Sequence, residues 1–196
     1  MKISSLFPIS LLAFSMVSAK TDWVPPAEGT SYDWRNTHWF GFNGGTISGP
    51  GLSYEYWGQS RGLKVTFLPI VLNETEIVGQ TTRERQTRCF SIGAAGLFSF
   101  NTPPAVEAGR LGFTSKHYYW FLAASHGEYD GVFDLTRAST ASIGLGADLN
   151  RRDSRLVFML GVGPYYFRQS SGELGFKMLP TFEFSWHFGA PRRITP

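Results

Sequence analysis

The chain has 196 residues, of which 31 are aromatic (Trp 6, Tyr 8, Phe 17) and 22 are glycine, while Asp, Glu, Lys and Arg make up only 17%, against roughly 25% in soluble proteins. So many aromatics and a net charge of only +3 exclude intrinsic disorder, and a mean hydropathy of −0.12 excludes a polytopic helical membrane protein built from runs of about 20 apolar residues. An isoelectric point near 9.1 rests on a small excess of basic residues and does not argue for nucleic acid as a partner; the length suits one compact domain.

Residues 1–19 read as a secretory signal peptide. Lys2 supplies the positive start, residues 6–17 are apolar but too few to span a bilayer as a helix, and Val17-Ser18-Ala19 fits a small-residue cleavage site. The next segment, 20–37, holds Trp23, Pro25-Pro26, Gly29 and Trp34 without either periodicity, and is expected to be an N-terminal periplasmic extension. Cys89 is the sole cysteine, so no intramolecular disulfide forms, and an exported domain must find its stability elsewhere. A β-structure closed on itself supplies it, because closure removes unpaired edges.

From residue 38 the hydrophobic period is two. Eight strands are predicted over residues 38–47, 52–57, 63–69, 88–100, 117–125, 141–149, 155–168 and 175–188. The last is the clearest: Phe176, Met178, Pro180, Phe182, Phe184, Trp186 and Phe188 alternate with mostly polar or small residues. Adjacent strand side chains point to opposite faces, so this strand has one strongly apolar side. Ser48-Gly49-Pro50-Gly51 marks a tight turn, and links are expected over 58–62, 73–87, 101–109, 126–137, 150–154 and 169–173. No segment has helical amphipathicity. The expected fold is all-β, an eight-stranded antiparallel up-and-down barrel over 38–188 with a short tail over 189–196.

Alternation alone does not say which face looks outward. Three features favour an inside-out barrel that crosses a membrane: the signal peptide; a second face rich in Gly, Ser, Thr and Ala with few charges; and Trp39, Trp57, Trp120 and Trp186 near strand ends, as in an interfacial aromatic girdle. Tyr54, Tyr56, Phe182, Phe184, Trp186 and Phe188 are then expected to face lipid. On the opposite face Glu55, Lys64, Asp148, Lys177, Glu183 and His187 share a narrow lumen, where buried charges must be paired.

The alternating Phe182, Phe184, Trp186 and Phe188, with Gly51-Leu52-Ser53-Tyr54-Glu55-Tyr56-Trp57 after a Gly-Pro turn, resemble the small eight-stranded outer-membrane β-barrels of OmpA/OmpX type. The resemblance spans residues 38–188 and departs from the family where 189–196, including Arg192-Arg193, follow the last aromatic. It implies a Gram-negative outer-membrane protein whose partners are outer-membrane lipids and the barrel-assembly machinery. The expected role is structural, surface-interacting or a minor, porin-like permeability, without catalysis, cofactor or metal.

Two other functions stay open. One is an exported soluble barrel that binds a hydrophobic ligand inside, with aromatics inward. The other is a barrel-wall lipid hydrolase built on Ser125-His126-Gly127-Glu128, although adjacent strand residues point apart and Ser125 does not reach His126 in a strand. His38 and His117 show no metal-ligand spacing and are expected to be solvated or interfacial. Arg83, Glu84, Arg85 and Arg88 place a charged cluster in the predicted loop over 73–87, a candidate contact for a surface ligand.

Overall fold

The structure, a computed structural model, describes residues 31–33, 35–78, 81–100, 106–107, 115–129, 135–151, 153–190 and 192–194. Among these residues eleven strands run in chain order: β1 Ser31–Asp33, β2 Thr37–Gly45, β3 Gly51–Trp57, β4 Arg61–Val78, β5 Thr81–Ser99, β6 Val106–Glu107, β7 Ser115–Tyr129, β8 Leu135–Asn150, β9 Ser154–Gln169, β10 Leu174–Gly189 and β11 Arg192–Ile194. No helix occurs among the described residues. Eight strands form a closed antiparallel barrel in the order β10-β2-β3-β4-β5-β7-β8-β9, so each pairs with its barrel neighbours in sequence and the last returns to the first. This is the predicted up-and-down topology.

Closure is made by β10 on β2, in register from Glu183↔Gly45 to Gly189↔Trp39. β10 carries its exposed aromatics at even positions and buried Thr181, Glu183, Ser185 and His187 at odd ones. A slip of one residue would turn every charge outward and every aromatic inward, so side-chain chemistry enforces the register.

The signal-peptide expectation and the segment 20–30 lie outside the described residues. The last part of the extension and the tail are not featureless: β1 pairs with β11 and with β6 in a small antiparallel sheet. The short elements leave no two-period signature to read, and they find each other because both chain ends and the β5–β7 connection leave the barrel at one rim. There Asp33 accepts hydrogen bonds from the Arg35 backbone and guanidinium at 2.8–3.0 Å, and this bond and charge raise the Arg35 pKa.

The expected loop over 73–87 is corrected. β4 and β5 pair continuously to Val78↔Thr81, and the register sets Glu74 across from Arg85 and Glu76 across from Arg83. A charged stretch reads as loop on composition, but the ladder is a matter of which backbone lies opposite, and composition does not carry that. The link over 126–137 is likewise shortened, since β7 reaches Tyr129 and β8 starts at Leu135. Cys89 sits half-buried inside β5 rather than at its start.

The barrel rises unevenly. At the rim opposite the chain ends β2 and β3 stop at Gly45 and Gly51, while β4–β5 and β9–β10 run on as long hairpins. The connection between the two short strands folds into the barrel, so Ile47 and Ser48 have no exposed surface. Glycines make this turn possible: Gly45, Gly49 and Gly51 have φ of 146°, 80° and 137°, values that side-chain-bearing residues rarely adopt. A Cβ on Gly49 would also lie 2.5 Å from Ser91 Oγ. Gly49→Ala is therefore expected to lower stability by about 1–3 kcal/mol. Thermal unfolding followed by circular dichroism checks this, with Gly172→Ala as the comparison because a Cβ at Gly172 (φ 88°) meets no atom within 4 Å.

Candidate functional site

The lumen holds two charged clusters. In the first, Lys64 from β4 meets Glu183 from β10, Nζ to Oε1 at 2.5 Å. The ammonium also donates to Asn43 Oδ1 at 2.9 Å and Ser185 Oγ at 2.6 Å, so its three protons have three acceptors. The other carboxylate oxygen of Glu183 accepts from the backbone N–H and the hydroxyl of Ser48, at 2.7 and 2.6 Å. Asn43 Nδ2 donates to Gly49 O at 2.5 Å, and Thr66 Oγ1 donates to Ser48 O. The inward turn is thus tied down by the ion pair beneath it.

The second cluster centres on Arg155 at the start of β9. Its guanidinium contacts Glu55 Oε1 at 2.8 Å and pairs with Asp148 Oδ2. Trp57 Nε1 donates to the same Glu55 oxygen. His117 lies with Nδ1 3.1 Å from Asp148 Oδ2 and Nε2 2.8 Å from Ser99 Oγ. Two indoles pack against the guanidinium, with the Trp39 and Trp57 ring centroids 5.3 and 5.9 Å from its carbon, a cation–π arrangement that shields the charge from water. His187 stands beside the second cluster: Nε2 is 2.8 Å from Ser53 Oγ and Nδ1 3.8 Å from Glu55 Oε2.

Of the six charges expected in the lumen, Glu55, Lys64, Asp148, Glu183 and His187 are there and buried. Lys177 is not. It keeps the inward alternation of β10, but its segment projects past the rim, where the side chain is exposed and its ammonium lies 5.5 Å from the Phe167 ring centroid. Sequence reading missed Arg155 and His117, although both alternate in step with buried neighbours, Arg155 with Val157 and His117 with Tyr119. His117 is accordingly not solvated or interfacial, whereas His38 is exposed, 2.8 Å from Tyr54 Oη. Trp39 and Trp57 are not girdle residues: they alternate with Phe40 and Tyr56 and are fully buried.

The outward aromatic set is in place. Phe182, Phe184, Trp186 and Phe188 are exposed, and Tyr54 and Tyr56 are half-buried on the same outer surface. Every barrel strand adds to it, through Phe40 and Phe42, Leu52, Leu63 and Phe67, Ile92, Leu122, Ile143 and Leu145, and Phe158, Leu160 and Val162.

Ser125 and His126 do point apart. Ser125 faces inward to Thr140, Oγ to Oγ1 at 2.7 Å, while His126 faces outward to Ser139, Nδ1 to Oγ at 2.8 Å. Near it Glu128 Oε1 lies 3.8 Å from His126 Nε2 and 3.0 Å from Arg137 Nε. The residue types are those of a hydrolytic triad. However, the acid stands beyond hydrogen-bond reach of the imidazole and is engaged by arginine. Among the described residues no group of three or more His, Cys, Asp or Glu is placed to hold a metal ion.

The chain matches no protein-family model, and no curated protein matches its sequence.

Removing one member of a buried ion pair leaves the other charged and uncompensated, at a cost of about 3–5 kcal/mol. Lys64→Met is therefore expected to destabilise strongly, and Lys64→Met with Glu183→Gln to recover part of the loss. Urea unfolding of the refolded barrel, followed by tryptophan fluorescence, measures both variants.

Proposed function

We propose that the chain is an integral outer-membrane β-barrel of the small eight-stranded OmpA/OmpX type, with a structural or surface-interaction role and no catalysis. The observation that carries this reading is the inversion of the barrel: buried charges inside and an unbroken apolar coat outside. Leu160, 69% exposed, and Phe42, 63% exposed, have no reason to face water. An exposed apolar surface that circles a whole domain marks a surface meant for another apolar phase.

The height of the coat supports the reading. Along β9 the outward residues from Leu156 through Phe158, Leu160, Val162 and Pro164 to Tyr166 are all apolar or aromatic. Ten residue steps of about 3.3 Å, on a strand tilted by about 40°, rise roughly 25 Å, the height of the apolar band of outer-membrane barrels. Trp186, Phe188 and Tyr118 lie toward one end of the wall, and Tyr166 and Phe176 toward the other.

The rival soluble barrel with a hydrophobic ligand inside needs an apolar cavity, yet this interior is occupied by ion pairs, indoles and the folded-in turn. The same filling speaks against a permeability role, because eight strands leave room for packed side chains and little more.

Leu160→Arg, near mid-height, is expected to cost about 2–4 kcal/mol when the protein is refolded in lipid vesicles. A solvent-facing position would lose no more than about 0.5 kcal/mol. Urea titration in vesicles measures the difference, and recovery of the wild type as a water-soluble monomer without detergent would defeat the membrane reading. In planar bilayers the wild type is expected to give no stepwise conductance; steady ion-conducting steps would restore the pore alternative.

A further inference from the structure

On the outer wall, just above the apolar band and toward the rim of long hairpins, a groove of about 320 Å³ crosses the strands β7 to β10. Its outward side chains are His126, Arg137, Ser139, Tyr166, Arg168 and Leu174. We propose that this groove binds the phosphate group of a membrane lipid, with the acyl chains lying down the wall beneath it. The proposal rests on the membrane reading above.

The charge arrangement asks for an anion. Arg137 and Arg168 are direct register partners across β8 and β9, and like charges directly opposed on one face destabilise a sheet. Glu128 neutralises only Arg137, at 3.0 Å; Arg168 has no carboxylate within 4 Å among the described residues. The pair sits at the one place where the β8–β9 register shifts, between Leu135 and Arg137. Such irregularities re-aim side chains and are common beside functional sites. Two guanidiniums, the Ser139 hydroxyl and the His126 ring then surround one groove with donors suited to phosphate oxygens. Arginine is the cation matched to that geometry.

What lies below explains why the anion belongs to a lipid. Descending from Arg168 on β9, the outward residues are Tyr166, Pro164, Val162 and Leu160, and descending from Arg137 on β8 they are Ser139, Ala141, Ile143 and Leu145. Tyr166 and Phe176 pack beside this track, their rings tilted by 52° with centroids 4.7 Å apart. A phosphate at the arginines would leave its acyl chains against an apolar strip that runs down the coat. A free anion would use the upper half of this surface and nothing beneath it.

The test uses the full chain. Insertion into phosphatidylcholine vesicles and heat-modifiable gel mobility are measured first, because a chain that does not insert defeats the membrane reading and this proposal with it. Native mass spectrometry of the detergent-solubilised barrel then compares phosphatidic acid with diacylglycerol of the same acyl chains. Retention of phosphatidic acid alone is expected. Arg137→Gln with Arg168→Gln should cut that retention by about tenfold or more, since both charge-assisted bonds to the phosphate are lost, with gel mobility unchanged. Arg61→Gln, at the opposite rim, should leave retention as in the wild type. Insertion without preference for phosphatidic acid, or full retention by the double variant, would overturn the clamp while leaving the membrane reading intact. Displacement of the bound lipid by millimolar inorganic phosphate would also overturn it, by showing an anion site to which the acyl track contributes nothing.

Discussion

The pairing of β10 with β2 is the contact on which the rest depends. An antiparallel sheet of eight strands left open would expose two rows of unpaired N–H and C=O groups. In the proposed bilayer setting no water is available to satisfy them. Once Glu183 to Gly189 lie against Trp39 to Gly45, every barrel strand has two neighbours over the body of the barrel. The inner face becomes a closed space, and whatever points into it must be reconciled chemically.

That reconciliation explains why so many charges are tolerated. A narrow lumen removes Lys64, Glu55, Asp148, Arg155 and Glu183 from water, which costs far more than a surface ion pair returns unless each finds partners. The residues come from distant parts of the chain: Lys64 and Glu183 are separated by 119 positions, and Arg155 reaches back to Glu55. The network therefore exists only when the barrel is closed and in register, and a slipped or open barrel would bury the same charges singly or expose the same aromatics. The folded-in turn at Ser48 extends this logic, because Glu183 holds both the ammonium beneath it and the backbone above it.

The outer surface follows a different rule. It needs no jigsaw complementarity, only apolar side chains at alternate positions over a fixed height, and polar groups appear where that height ends. His126, Ser139, Arg137 and Arg168 stand together at such a boundary. Their grouping comes from the register of three strands rather than from closeness in the chain: His126 meets Ser139 across the β7–β8 ladder, while its sequence neighbour Ser125 faces the other way.

Alternation in the chain was enough to establish eight strands, their order and one apolar face, because the two-residue period is local and survives without knowledge of partners. Five of six luminal charges were legible for the same reason. Lys177 was misplaced because alternation says which way a residue points but not whether the barrel wall still encloses it at that height. Trp39, Trp57 and His117 were misassigned because residue type outweighed alternation, a tryptophan near a strand end suggesting an interface, and Arg155, although inside a predicted strand, was left out of the luminal set. Their burial needed closure, which brings an arginine between two indoles and two carboxylates. The hairpin over 73–87 and the small sheet at the chain ends were equally hidden, since both depend on which backbone lies opposite, and pairing is a property of the folded chain.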